Sequence, residues 1–137
     1  MRVLKIDRTV FDVGFDSDWN KLMNSYNAKG FEKMEFIGTL HLSSNYLNRK
    51  IYNSFPTNLH VHGQMSLSRS LIENLPKILY VDAGLYMNNT NVKELPGVLN
   101  VEGVLDIRDT LITKLPVNAI IKGEIHFPDV MIKNAMK

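Results

Sequence analysis

Leu85-Tyr86-Met87-Asn88-Asn89-Thr90-Asn91-Val92-Lys93-Glu94-Leu95-Pro96 is one copy of a pattern that returns along the chain every twenty residues. Its closing pair recurs as Phe55-Pro56, Leu75-Pro76 and Leu115-Pro116. After each proline come alternating apolar positions, Leu59 and Val61, Leu79 and Val81, Leu99 and Val101, then a small residue at Gly63, Ala83 or Gly103. A second alternating pair follows (Met65 and Leu67, Leu85 and Met87, Leu105 and Ile107), then a hydroxyl residue (Ser70, Thr90, Thr110) and a branched one (Ile72, Val92, Ile112). An imperfect copy opens the array at Leu40, Leu42, Asn45 and Leu47, and a truncated one closes it at Ile121, Gly123, Ile125 and Phe127.

Each part of the copy has a physical reading. Alternation with period two sets Leu59, Val61, Met65 and Leu67 on one face of an extended chain, and His60, His62, Ser66 and Ser68 on the other. A small residue inside such a run marks a bend, so two short strands per copy, turning a corner at Gly63, Ala83 or Gly103, are expected. Proline has no N–H to offer a strand neighbour and belongs at the turn. One copy cannot bury its own apolar stripe, but stacked copies bury a continuous one.

The expected fold is therefore a β-rich solenoid of about four to five coils. We place it at residues 38–128, behind an N-terminal cap at 1–37 and ahead of a C-terminal tail at 129–137. In the cap, Val3, Leu4, Ile6, Val10 and Val13 predict one or two strands. Ser17-Asp18 reads as a helix N-cap with an acidic first turn, Trp19, Leu22, Met23 and Tyr26 follow at helical spacing, and Gly30 is the terminator. Covering the open end of the stack is its expected role, with a Trp19/Tyr26 binding anchor as the alternative.

The second half of each copy, Leu-x-(Leu/Met/Ile)-x-x-(Asn/Ser/Thr)-x-(Leu/Ile/Val)-x-x-(Leu/Phe)-Pro, resembles leucine-rich repeats. It is most similar to the short Leu-Pro type of bacterial effectors of the YopM and IpaH kind, and to degenerate copies in small bacteriophage proteins. Two departures stand out. Only Asn45 keeps the asparagine of the usual repeat, with Ser70, Thr90 and Thr110 elsewhere, and a Leu-x-Val-x-Gly strand replaces the usual first leucine. The IpaH-like effectors add a ligase domain with a cysteine nucleophile. This chain has no cysteine, so that activity is not expected. The resemblance implies that the partner meets the strand before the asparagine position, at His41 and Ser43, Ser66 and Ser68, Tyr86 and Asn88, and Asp106 and Arg108. That mixture of Tyr, Arg, Asn, Asp and Ser suits a protein interface. The phage-like copies imply an inhibitor or adaptor directed at a host protein, such as an anti-defence factor.

Composition narrows the other classes. A chain of 137 residues, 45% hydrophobic and 22% charged, fits one globular domain. The net charge of +2 is spread along the sequence rather than gathered into a stripe, although nucleic-acid binding stays open as the alternative. The absence of cysteine excludes disulfides and thiolate metal sites and fits a reducing compartment. Residues 1–8 carry no apolar signal-peptide run and no stretch reaches membrane-spanning length, so a cytoplasmic protein off the membrane is expected. It is expected to be a monomer, or to self-associate weakly through the solenoid end near Phe127.

No catalytic residue, metal or cofactor is assigned. His60 and His62 share a strand face with spacing that metal sites use, and His41 belongs to a neighbouring copy, but spacing fixes no third ligand and His126 lies toward the other end. Asp82 and Glu102 stand one copy apart, so the column His62, Asp82, Glu102, Lys122 reads as a mixed-charge ladder. A metal-dependent enzyme using this outward His/Asp/Glu face is the remaining alternative.

Overall fold

The computed structural model describes the backbone of residues 1–12, 16–44, 49, 51–52 and 54–136, and the side chains of these except 8–12 and 16–17. Val13, Asn45 and Leu47, named above, lie outside the described residues.

The chain is sheet-rich: ten strands form one parallel sheet that does not close on itself. Strand β1 (Val3–Asp12) is followed by helix α1 (Asp16–Ala28) and the nine-residue strand β2 (Lys33–His41). Eight short strands come next in pairs: β3 (Asn58–His62) and β4 (Met65–Ser66), β5 (Ile78–Val81) and β6 (Leu85–Tyr86), β7 (Val98–Val101) and β8 (Leu105–Asp106), β9 (Ile120–Ile121) and β10 (Ile125–His126). Helix α2 (Asp129–Ala135) ends the described chain.

Strand β2 is the branch point. Its first half pairs with β3, which leads on through β5, β7 and β9, and its second half pairs with β4, which leads on through β6, β8 and β10. Gly38 joins the halves at φ +115°, a conformation a side chain would strain. Within both ladders the partners are twenty residues apart, as in Leu59 with Leu79 and Leu99, or Met65 with Leu85 and Leu105.

That register carries the repeat's apolar positions into columns. Leu79, Val81, Leu85, Met87 and Val92 of one copy are buried, as are their equivalents Leu59, Val61, Met65, Leu67 and Ile72 before them and Leu99, Val101, Leu105, Ile107 and Ile112 after. Each such side chain contributes about 1.5–3 kcal/mol by leaving water. The columns begin earlier than the boundary at 38. Met34 pairs with Leu59 and Phe36 with Val61, both buried, so Met34-x-Phe36-x-Gly38-x-Leu40-x-Leu42 is itself a copy, set twenty-five residues before the next. The irregular interval hides it from a search at twenty.

The segment before β2 closes one side of this core. β1 runs beside β2 in parallel, with a register shift between Asp7 and Val10. On α1, Trp19, Met23 and Tyr26 are buried, which removes the binding-anchor alternative for Trp19 and Tyr26. Trp19 packs its ring 5.2 Å from that of Phe55 and donates Nε1–H to the Ser54 carbonyl at 2.9 Å. The helix begins at Asp16, so Ser17 lies inside the first turn instead of capping it, while Gly30 follows the end at φ +71° as expected. At the other end, residues 129–135 are helical where a tail was expected. Asp129 in the first turn and Lys133 in the last complement the helix dipole, and no residue of α2 is fully buried.

Candidate functional site

Two polar faces look outward, one on each ladder. On the ladder of even-numbered strands, His41 pairs with Ser66, Ser66 with Tyr86, Tyr86 with Asp106 and Asp106 with His126. Two residues further along each copy lie Ser43, Ser68, Asn88 and Arg108. Consecutive copies here are linked by bonds such as Ser44 N–H to Ser68 O at 2.9 Å and Arg69 N–H to Asn88 O at 3.0 Å. The eight partner-binding candidates therefore lie on four consecutive copies, four in strands β2, β4, β6 and β8 and four just beyond them, with neighbouring strands about 4.8 Å apart.

Their exposure differs. His41 and Arg108 are exposed, and Ser43, Ser66, Tyr86 and Asn88 are half-buried, whereas Ser68 and Asp106 are buried and act within the chain. Ser68 donates to Asn88 Oδ1 at 2.5 Å, and the Ser43 and Ser66 hydroxyls bond to each other. Asp106 grips Arg108 through Nε at 3.0 Å, Nη2 at 2.8 Å and the Arg108 backbone N–H at 3.2 Å. Burial on its own would raise the Asp106 carboxyl, but these bonds, the Arg108 charge and the nearby His126 together hold it below the ordinary aspartate value. The Tyr86 ring lies over Gly84, where an added Cβ would stand 2.6 Å from Cε2. His126 completes the column, at the outward place between Ile125 and Phe127 of the truncated last copy, and lies outside the eight candidates.

The turn beneath this face explains the hydroxyl in place of asparagine. Ser70, Thr90 and Thr110 are buried and donate to the carbonyls of Leu67, Met87 and Ile107 at 2.7, 2.9 and 2.8 Å. Each hydroxyl thus closes a turn whose third residue, Arg69, Asn89 or Asp109, has φ of 62°, 59° or 54°. Arg49 ties two of these turns together, donating from Nε to the Arg69 carbonyl at 2.7 Å and from Nη2 to the Asn89 carbonyl at 2.6 Å.

On the ladder of odd-numbered strands, the predicted column joins in two couples, a histidine with a carboxylate and a lysine with a carboxylate. His62 Nδ1 is 3.3 Å from Asp82 Oδ2, and Lys122 Nζ is 2.8 Å from Glu102 Oε2. His60 stacks on His62 with ring centroids 3.8 Å apart and reaches Asp82 Oδ1 at 2.9 Å. Sequence spacing supplied no third ligand beside these histidines, and the fold supplies one. Glu35 pairs in register with His60 and places Oε1 3.1 Å from His62 Nε2. That bond foremost, with the charges of Lys33 and Lys5, holds the Glu35 carboxyl below its ordinary value against the opposing effect of burial. Glu35, His60 and His62 present ligand atoms all within 4.8 Å of one another. The missed signal was the early copy: in Met34-Glu35-Phe36, Glu35 holds the outward place that His60 holds between Leu59 and Val61.

Among the described residues, no helix is long and apolar enough to cross a membrane. Comparison of the chain with family models, with curated proteins and with solved structures found no match.

Proposed function

We propose that this chain is a leucine-rich-repeat-like solenoid, capped at its N-terminal end by β1 and α1, that binds a protein partner without catalysis. The observation that carries the reading is the column of outward positions His41, Ser66, Tyr86 and Asp106 on β2, β4, β6 and β8, with Ser43, Ser68, Asn88 and Arg108 just beyond them. Tyr86 and Arg108 are the anchors: an aromatic ring set down on Gly84, and a guanidinium held by Asp106 with more than half its side chain still open to solvent. Groups locked before binding lose little entropy when a partner arrives, which is how a small rigid surface reaches useful affinity. Ser68 and Asp106 serve this face from beneath, and direct contact falls to His41, Ser43, Ser66, Tyr86, Asn88 and Arg108. An inhibitor or adaptor acting on a host protein in the cytoplasm is the role such a surface suits. Self-association would fall at the last copy, where Ile120 and Val117 are exposed.

The test is capture of a partner from bacterial lysates, followed by titration of the purified partner against wild type and a Tyr86→Ala/Arg108→Ala variant. A loss of roughly 2 kcal/mol or more in binding free energy, at unchanged thermal stability, supports the reading. Equal affinity for both forms sinks this face as the interface. Binding to DNA or RNA that weakens steeply with salt would replace the reading with a nucleic-acid one.

A further inference from the structure

The odd-strand face carries a cluster that protein binding leaves unused. We propose that Glu35, His60 and His62 form a binding site for a divalent transition-metal ion of the zinc class, with Asp82 as the positioning residue for His62.

The argument starts from the sheet. β2 and β3 are adjacent interior strands, so their backbones are held by hydrogen bonds on both sides. In-register pairing puts Glu35 beside His60, and the period of two puts His62 on the same face. Two imidazoles and one carboxylate within 4.8 Å of one another match the ligand types and count of open zinc sites, which keep a fourth position for water or another ligand. Metal–ligand bonds of about 2.0–2.2 Å draw donors to roughly 3.3 Å apart, near the 3.1 Å already separating Glu35 Oε1 from His62 Nε2.

The surroundings of His62 add an independent reason. A carboxylate oxygen faces each of its ring nitrogens, Glu35 at Nε2 and Asp82 at Nδ1. A ring nitrogen attracts a carboxylate only through a hydrogen or a cation. An ion between Nε2 and Oε1 satisfies that side and leaves Nδ1, 3.3 Å from Asp82 Oδ2, to carry the ring hydrogen toward Asp82. This is the arrangement in which an outer carboxylate fixes the tautomer and raises the basicity of a metal-bound histidine. The donor set of two nitrogens and one oxygen favours zinc, nickel or copper over calcium and magnesium, which prefer all-oxygen shells.

The experiment titrates zinc chloride into tag-free, metal-stripped full-length protein, by calorimetry and by thermal melting. One equivalent should bind and raise the Tm, and magnesium should do neither. His60→Ala/His62→Ala should abolish binding, and His41→Ala/His126→Ala should leave it unchanged. Both pairs sit on outward faces, and circular dichroism checks each fold. Glu35→Gln, which keeps the side-chain shape, should lower zinc affinity at least about tenfold, and Asp82→Asn about 10–100-fold without changing the stoichiometry. No saturable binding, or equal binding by wild type and the His60/His62 or Glu35→Gln variants, overturns the site. Zinc binding is read without any protein partner, so this inference and the proposed function fail separately.

Discussion

The buried Thr90 hydroxyl donates to the Met87 carbonyl oxygen at 2.9 Å, spanning the left-handed Asn89. Ser70 with Leu67 and Thr110 with Ile107 repeat the relationship one copy to either side. Thr90→Val keeps the shape and removes the donor, leaving a buried carbonyl short of a partner. We expect a loss of about 1–3 kcal/mol in urea denaturation, against less than half of that for Thr113→Val, which is exposed. Equal effects at both positions would show that the hydroxyl does not hold the turn.

The left-handed residue itself is the second place to probe. Asp109 has φ 54°, in a region that aspartate tolerates, glycine adopts freely and a β-branched residue resists. Asp109→Val should destabilise by about 1–2 kcal/mol, whereas Asp109→Gly should be neutral or slightly stabilising. Thermal melts of the two variants side by side decide it, and a destabilising Asp109→Gly with a harmless Asp109→Val would contradict the left-handed backbone at Asp109.

Close approach of successive copies makes a third test. A Cβ placed on Gly63 would stand 2.5 Å from the Gly38 carbonyl oxygen, while one on Gly97 meets nothing within 4 Å. Gly63→Ala must push two backbones apart and is expected to cost about 1–3 kcal/mol. Gly97→Ala should be neutral or gain a few tenths of a kcal/mol by restricting the unfolded chain. Chemical denaturation gives both values, and a Gly63→Ala protein as stable as wild type would rule out this packing.

Asp106 predicts a dependence on pH. Its folded-state carboxyl is held below the ordinary value of about 3.9, so the unfolded chain takes up the proton first as pH falls. The stabilisation is therefore complete above that ordinary value and is lost as pH drops through the depressed one. Asp106→Asn should be less stable than wild type by roughly 1–2 kcal/mol at pH 7, with the gap steady down to about pH 5 and closing below pH 4. A gap that widens on acidification would reverse the sign and refute the assignment.

Much of the sheet was legible because its information is local and repeated. Leu59, Leu79 and Leu99 declare by spacing alone that they occupy one column, and the alternation around Gly63 or Gly103 marks two short strands and a bend. The alignment of the eight even-strand positions was legible for the same reason, although only the resemblance to leucine-rich repeats singles them out as partner contacts. Their exposure was not. Ser68 and Asp106 occupy outward positions in the pattern, yet neighbouring copies bury them, and burial depends on Asn88 and Arg108 folding over them.

What the sequence determined by itself was the twenty-residue register, hence which side chains align across strands, because a period of two combined with a fixed repeat leaves one consistent stacking. What only the tertiary structure decided was where the first copy sits and what it brings with it. The interval of twenty-five residues between Met34 and Leu59 breaks the period, so nothing local connects Glu35 to His60 and His62. Their meeting is a product of strand pairing across a long interval. It rests on burying Met34 and Phe36 against Leu59 and Val61, a gain that no single segment of the sequence contains.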